Sequence, residues 1–151
     1  MYQKVLVPLD GSAESEKVIG SIRDLLEPQT EVILLKVIPP MSGYTIGQVV
    51  MTSSEVEEAE RTKEMGYLRE VVHRLGGQTV QFRCQVVVSK SVAEGITSAA
   101  TQEGVDLIAM YTHDRKGLAR LIRGSIAAKV ERVSPIEVRV FRPRELAGVG
   151  G

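Results

Sequence analysis

Val32-Ile33-Leu34-Leu35-Lys36-Val37-Ile38 is almost continuously apolar, and its contrast with a later run decides the fold. A strand covered by helices on both faces reads this way, because neither set of alternate side chains meets water. The later run behaves differently: Val80, Phe82, Cys84, Val86 and Val88 alternate with Gln81, Arg83 and Gln85. Alternation marks a strand with one wetter face, usually at a sheet edge. The earlier run therefore belongs inside a sheet and the later one at its margin.

Working outward, Val5-Leu6-Val7-Pro8-Leu9 and Leu107-Ile108-Ala109-Met110 are also continuous, while Ile136, Val138 and Val140 alternate with Glu137 and Arg139. Helical segments fall between these five runs. The first begins near the N-cap Ser12, carries Glu14 and Glu16 in its opening turn, and is expected to bury Val18, Ile22, Leu25 and Leu26 before Pro28. The second runs from Ser53 or Ser54 to Leu75, with Leu68, Val72 and Leu75 on one stripe, and stops at Gly76-Gly77. A capping box of Ser91 and Glu94 opens the third, with Val92, Ile96 and Ala99 facing inward. The fourth starts near Gly124-Ser125 and is expected to bury Ile126, Ala127, Val130 and Val133 before Pro135.

Strands alternating with helices predict an α/β fold, a Rossmann-like open parallel five-stranded sheet wound by right-handed crossovers with helices on both faces. A flavodoxin-like order 2-1-3-4-5 would place the second run at an edge, so the order 3-2-1-4-5 fits better. Winding then reverses between the first and fourth strands, and ligands of such sheets bind outside the carboxyl ends at that reversal. Pro8, Leu9 and Asp10 lie on one side of it, Tyr111 and Thr112 on the other.

One domain over residues 1–142 is expected, with 143–151, which end in Gly148-Val149-Gly150-Gly151, disordered. Residues 39–52, with Pro39-Pro40, Gly43 and Gly47, read either as a lid over the crevice or as a loose surface excursion, and an inward-packed Tyr44 would mark the lid. Nineteen basic residues balance nineteen acidic ones, so no nucleic-acid or membrane surface is expected and any anion site must be local. The single cysteine, Cys84, fits a reducing cytoplasm, and the chain runs directly into Lys4-Val5-Leu6-Val7 without a basic leader or an apolar membrane span.

The stretch from Met110 to Ser125 reads as a strand opening into a basic loop with Arg115, Lys116, Arg120 and Arg123, and then a helix start. Gly124-Ser125 there offers free backbone amides, a hydroxyl and a positive dipole end, a seat for phosphate; alternatively Ser125 merely caps its helix. Asp10 is placed to accept hydrogen bonds from an adenine amine or ribose hydroxyls, or else to start a turn with Gly11. Val37 is a candidate apolar wall for a flat base. His73 and His113 stand apart from each other and from Cys84, so no metal site is expected. No nucleophile elbow, Walker loop or dinucleotide fingerprint occurs, and the chain offers a binder more readily than a catalyst.

From Lys4-Val5-Leu6-Val7-Pro8-Leu9-Asp10-Gly11-Ser12 through Leu34-Leu35-Lys36-Val37 to Thr112-His113, Arg115, Gly117, Leu118, Gly124-Ser125 and Pro135-Ile136-Glu137-Val138, the chain resembles the universal stress protein family. The resemblance implies a 3-2-1-4-5 sheet, a homodimer joined through the last strand at Ile136, Val138 and Val140, and in one branch of the family an ATP site. That branch carries Gly-x-x-Gly followed, after nine further residues, by Gly-Ser or Gly-Thr. Here the two leading glycines are replaced by Tyr111 and Asp114, and Gly124-Ser125 is retained; Lys90-Ser91-Val92 stands where members often carry Gly-x-Pro. The candidate nucleotide-binding residues are Pro8, Asp10, Val37, Met110, Thr112, Arg115, Gly117, Gly124, Ser125 and Ile126. ATP or another adenine nucleotide is the expected ligand, with magnesium entering only alongside it. The competing expectation is a dimerising interaction module whose pocket is filled by Tyr111. Slow ATP hydrolysis is a third reading, although the Ser-Gly-Gly-x-Asp-Ser loop of phosphate-loop ligases is not met by Leu9-Asp10-Gly11-Ser12.

Overall fold

A computed structural model describes residues 1–75, 80–113 and 125–143. The elements follow the order β1 (Lys4–Pro8), α1 (Ala13–Ser21), β2 (Glu31–Ile38), β3 (Tyr44–Ile46), β4 (Val49–Met51), α2 (Ser53–Arg74), β5 (Gln81–Val88), α3 (Val92–Glu103), β6 (Leu107–Tyr111), α4 (Ile126–Val133) and β7 (Val138–Phe141). Five strands form one parallel sheet in the order β5-β2-β1-β6-β7. Leaving aside the separate β3–β4 hairpin, this is the predicted 3-2-1-4-5 arrangement. The continuously apolar β2 is internal and the alternating β5 lies at an edge.

Strand parity divides the core into two layers. Val5, Val7, Val32, Leu34, Leu107 and Ala109 pack with Val18, Ile19 and Ile22 of the α1 region and Leu68 and Val71 of α2. Leu6, Ile33, Leu35, Ile108 and Met110 point the other way, against Ala93, Ile96, Ala99 and Ala100 of α3 and Ala127 and Val130 of α4. Alanine and glycine on α3 let that helix lie close to the sheet. A methyl on Gly95 would sit 2.9 Å from Val37 Cγ1 and 3.0 Å from Ser89 Cβ.

Several local expectations are corrected. The helix α1 ends at Ser21, and a 3-10 turn at Arg23–Leu25 follows, leaving Leu25 and Leu26 half-buried at the margin of the core. The α2 cap is Thr52, whose hydroxyl accepts from the Glu55 amide at 3.1 Å while the Glu55 carboxylate takes the Thr52 amide at 3.4 Å. Ser91 caps α3 by accepting from the Glu94 amide at 3.3 Å, yet the Ser91 amide donates to Ser89 Oγ rather than to Glu94, so only half of that capping box forms. Val92 and Ile126 are 40% and 44% exposed instead of buried. Each is the first residue of its helix, where the helix overhangs the carboxyl end of the sheet and no layer covers it. Val133, in the last turn of α4, is exposed as well.

Residues 39–52 contain the antiparallel pair Tyr44↔Met51, Thr45↔Val50, Ile46↔Val49, turned at Gly47, where φ is +60°. A two-residue hairpin loop needs a positive φ, which glycine adopts without a Cβ clash. Tyr44 is 48% exposed, so it does not pack inward over the crevice as the lid reading required. The C-cap pair Gly76-Gly77 and the tail 144–151 lie outside the described residues.

Candidate functional site

The β1–β6 ladder pairs Val5 with Leu107 and Leu6 with Ile108 and goes no further. Leu9 donates its amide to Leu35 of β2 at 2.8 Å, so alternation turns the Pro8 nitrogen toward β6, where it has no hydrogen to give. Just beyond that point, at the carboxyl ends of both strands, lies a cavity of about 520 Å³. Pro8, Leu9, Asp10 and Ser15 line its β1–α1 side, and Met110, Tyr111, Thr112 and His113 its β6 side. Val92 and Ile96 of α3 and Ser125, Ile126 and Ala127 of α4 complete it. The walls are mainly apolar, with polar groups from Asp10, Ser15, Thr112, His113 and Ser125, a composition suited to a ligand that combines an apolar body with polar groups.

Asp10 stands on the β1 side. Its Oδ1 accepts from the Ser12 amide at 2.8 Å and the Ser12 hydroxyl at 2.5 Å, and its Oδ2 lies 2.8 Å from His113 Nε2. Its own amide donates to Ser15 Oγ at 3.4 Å. Burial works to raise the Asp10 pKa, but hydrogen bonds from the Ser12 side chain, His113, the Ser12 amide and Ser15 outweigh it and hold the carboxyl well below the usual carboxylate range. The Asx turn read from Asp10-Gly11-Ser12 is thus present, with φ +91° at Gly11, and the same carboxylate also reaches across to β6.

Ser125 stands on the α4 side. It is the α4 N-cap, with its hydroxyl accepting from the Ala128 amide at 3.3 Å, and it faces the cavity as well. The capping and site roles coexist, because a hydroxyl has a donor left after accepting. Parity along β6 places Met110 on the α3–α4 layer and Tyr111 on the α1–α2 layer. The Tyr111 ring stands edge-on to His113, with centroids 4.7 Å apart and planes at 86°. It forms a wall, and the cavity remains open beside it.

Six of the ten nominated residues therefore line one cavity: Pro8, Asp10, Met110, Thr112, Ser125 and Ile126. Val37 does not; it packs in the α3–α4 layer behind Gly95. Arg115, Gly117 and Gly124 lie outside the described residues, as do Asp114 and the basic residues Lys116, Arg120 and Arg123. Sequence reasoning did not nominate Ser15, Val92, Ile96, Ala127 or His113. Val92 carried a signal in its position directly after a helix cap, whereas His113 meets Asp10 from 103 residues away, a pairing no local pattern encodes.

Val138 and Val140 of the edge strand β7, and Ile136 before it, turn their side chains toward the α3–α4 core, leaving the strand's backbone as the outward feature. Among the described residues no cluster of His, Cys, Asp or Glu has the makings of a metal site, and no helix is long and apolar enough to cross a membrane.

A sequence model of the universal stress protein family matches residues 1–142. The chain belongs to that family. A universal stress protein of Staphylococcus haemolyticus is 26% identical over 147 residues, covering 96% of this chain and 87% of the relative. Among solved structures, a universal stress protein in complex with cAMP is similar at TM-score 0.66 and 18% identity, covering 93% of this chain and 97% of the other. A universal stress protein of Archaeoglobus fulgidus in complex with dAMP is similar at TM-score 0.59 and 15% identity, covering 92% and 97%. At these identities the structural likeness establishes the fold, an α/β sheet shared with other universal stress proteins.

Proposed function

We infer that the chain is a stress-response binding protein, a cytoplasmic homodimer joined through β7, that takes up an adenine nucleotide in the β1–β6 crevice within a functional unit of residues 1–142. The observation that carries this reading is the 520 Å³ cavity lined by both Asp10, after β1, and Ser125, at the start of α4. A nucleoside is matched by the apolar walls, and a phosphate by a helix N-terminus with a hydroxyl. Related proteins described with cAMP and dAMP support the adenine class. Magnesium would enter only with a polyphosphate ligand. The interaction-module reading needs Tyr111 to fill the crevice; with that ring forming a wall of an open cavity, binding is better supported.

The test is calorimetric titration with ATP, ADP, AMP and cyclic AMP. At least one should give heat, and Ser125→Ala should weaken it about tenfold, since a hydrogen bond to a charged group contributes roughly 1.5–3 kcal/mol. Silence with all four would refute the reading. Size-exclusion chromatography with light scattering tests the dimer, and a single monomeric species would refute it.

A further inference from the structure

We propose that His113 meets the ligand in this crevice, with Asp10 fixing the imidazole beside Tyr111 so that the two rings form an aromatic corner for a planar heteroaromatic ring. This rests on the nucleotide reading and deepens it by naming which residues select the base.

The geometry has three parts. First, both Asp10 oxygens are already engaged: Oδ1 with two Ser12 donors at 2.8 and 2.5 Å, Oδ2 with His113 Nε2 at 2.8 Å. An ionised carboxylate only accepts, so Nε2 carries the hydrogen, and this bond fixes both the tautomer and the direction of the ring. Second, the ring is held yet not covered. The His113 side chain remains 67% exposed while lining the cavity, so its faces are open to a ligand. Third, Tyr111 meets it at 86° with centroids 4.7 Å apart. A planar ligand stacked on one ring of such a corner presents its edge to the other, and both arrangements are favourable for aromatic pairs. The Tyr111 ring is itself packed against the α1–α2 layer, which makes the corner rigid.

The chain contains no tryptophan, so His113→Trp introduces a single indole as a local reporter. The expected result is quenching of its fluorescence by AMP and not by ribose 5-phosphate, which lacks the base. By calorimetry, His113→Ala should weaken AMP binding about tenfold or more, the scale of one lost base–aromatic stack. His113→Phe, which stacks but offers Asp10 no hydrogen, should stay within about threefold of the wild type. Asp10→Ala should then weaken the wild type by more than it weakens the His113→Phe background, and Asp10→Asn, which keeps an acceptor oxygen, should fall between. Urea melts establish that each variant is folded. If His113→Ala binds as the wild type does, if phenylalanine does not restore binding, or if Asp10→Ala costs the same in both backgrounds, the inference is overturned while the nucleotide reading stands. If the wild type binds none of the nucleotides, both fall.

Discussion

Gly95 and Gly66 are both interior residues of long helices, yet alanine should act on them with opposite signs. In an exposed helix interior, glycine to alanine gains about 1 kcal/mol, since the glycine backbone loses more freedom on folding. Gly66, in α2, has no neighbour within 4 Å of an added methyl, so Gly66→Ala should realise that gain. At Gly95, in α3, the same methyl would meet Val37 Cγ1 at 2.9 Å, Ser89 Cβ at 3.0 Å and Val37 Cγ2 at 3.2 Å. Ordinary carbon contacts lie near 3.5–4.0 Å, so α3 or β2 must yield by several tenths of an ångström. Overpacking of this kind costs about 1–3 kcal/mol; less the helix gain, Gly95→Ala should destabilise by about 1 kcal/mol. Urea unfolding should place the Gly95→Ala midpoint below the wild type and the Gly66→Ala midpoint above it, with melting temperatures displaced by about 2–4 °C in opposite directions. Because Val92 and Ile96 flank Gly95 and line the cavity, Gly95→Ala should also weaken nucleotide binding while Gly66→Ala leaves it unchanged. A Gly95→Ala protein as stable as Gly66→Ala would refute the close approach of α3 to Val37.

Leu6 is fully buried at the centre of the sheet, and Leu6→Ala should cost about 2–5 kcal/mol in urea unfolding; a loss below 1 kcal/mol would contradict a close-packed α3–α4 layer. Asp10 supplies a pH dependence whose sign is fixed by its lowered pKa. The unfolded carboxyl, near about 3.9, takes up its proton before the folded one does, so the stability Asp10 contributes is complete at neutral pH and is lost as the pH falls from about 5 toward 2. Relative to Asp10→Asn, which does not titrate there, the wild type should therefore lose stability across that window, and a constant difference between their urea midpoints would show that the Ser12 and His113 bonds do not favour the charged form.

The sheet was legible because burial leaves a periodic mark. A strand covered on both faces, such as Val32–Ile38, and one with a wetter face, such as Gln81–Val88, differ in composition at alternate positions, and that difference decides between the orders 2-1-3-4-5 and 3-2-1-4-5. Features set by one or two residues were less legible. The hairpin at 44–51 carries its turn signal in Gly47, but three-residue strands with both faces near water show too few positions for a period to emerge. The inward assignment of Val92 and Ile126 failed because a helical stripe says which way a residue points and not whether anything lies opposite it. Both sit where α3 and α4 extend beyond the sheet, and there an apolar residue lines a cavity instead of filling a core.

The site separates in the same physical way. Strand parity already places Tyr111 and Met110 on opposite layers, so a reader of the sequence alone could have inferred that Tyr111 replaces a family glycine without projecting toward α4. What parity cannot supply is the partner of a loop residue. Asp10 follows β1 and His113 follows β6, and they meet because those strands are neighbours at the reversal of winding, a property of the whole sheet. Once the order β5-β2-β1-β6-β7 is known, the ends of β1 and β6 must lie side by side, and an acidic residue at one with a histidine at the other becomes a contact to look for. The strand order, read from β2, is therefore what makes the Asp10–His113 pair inferable.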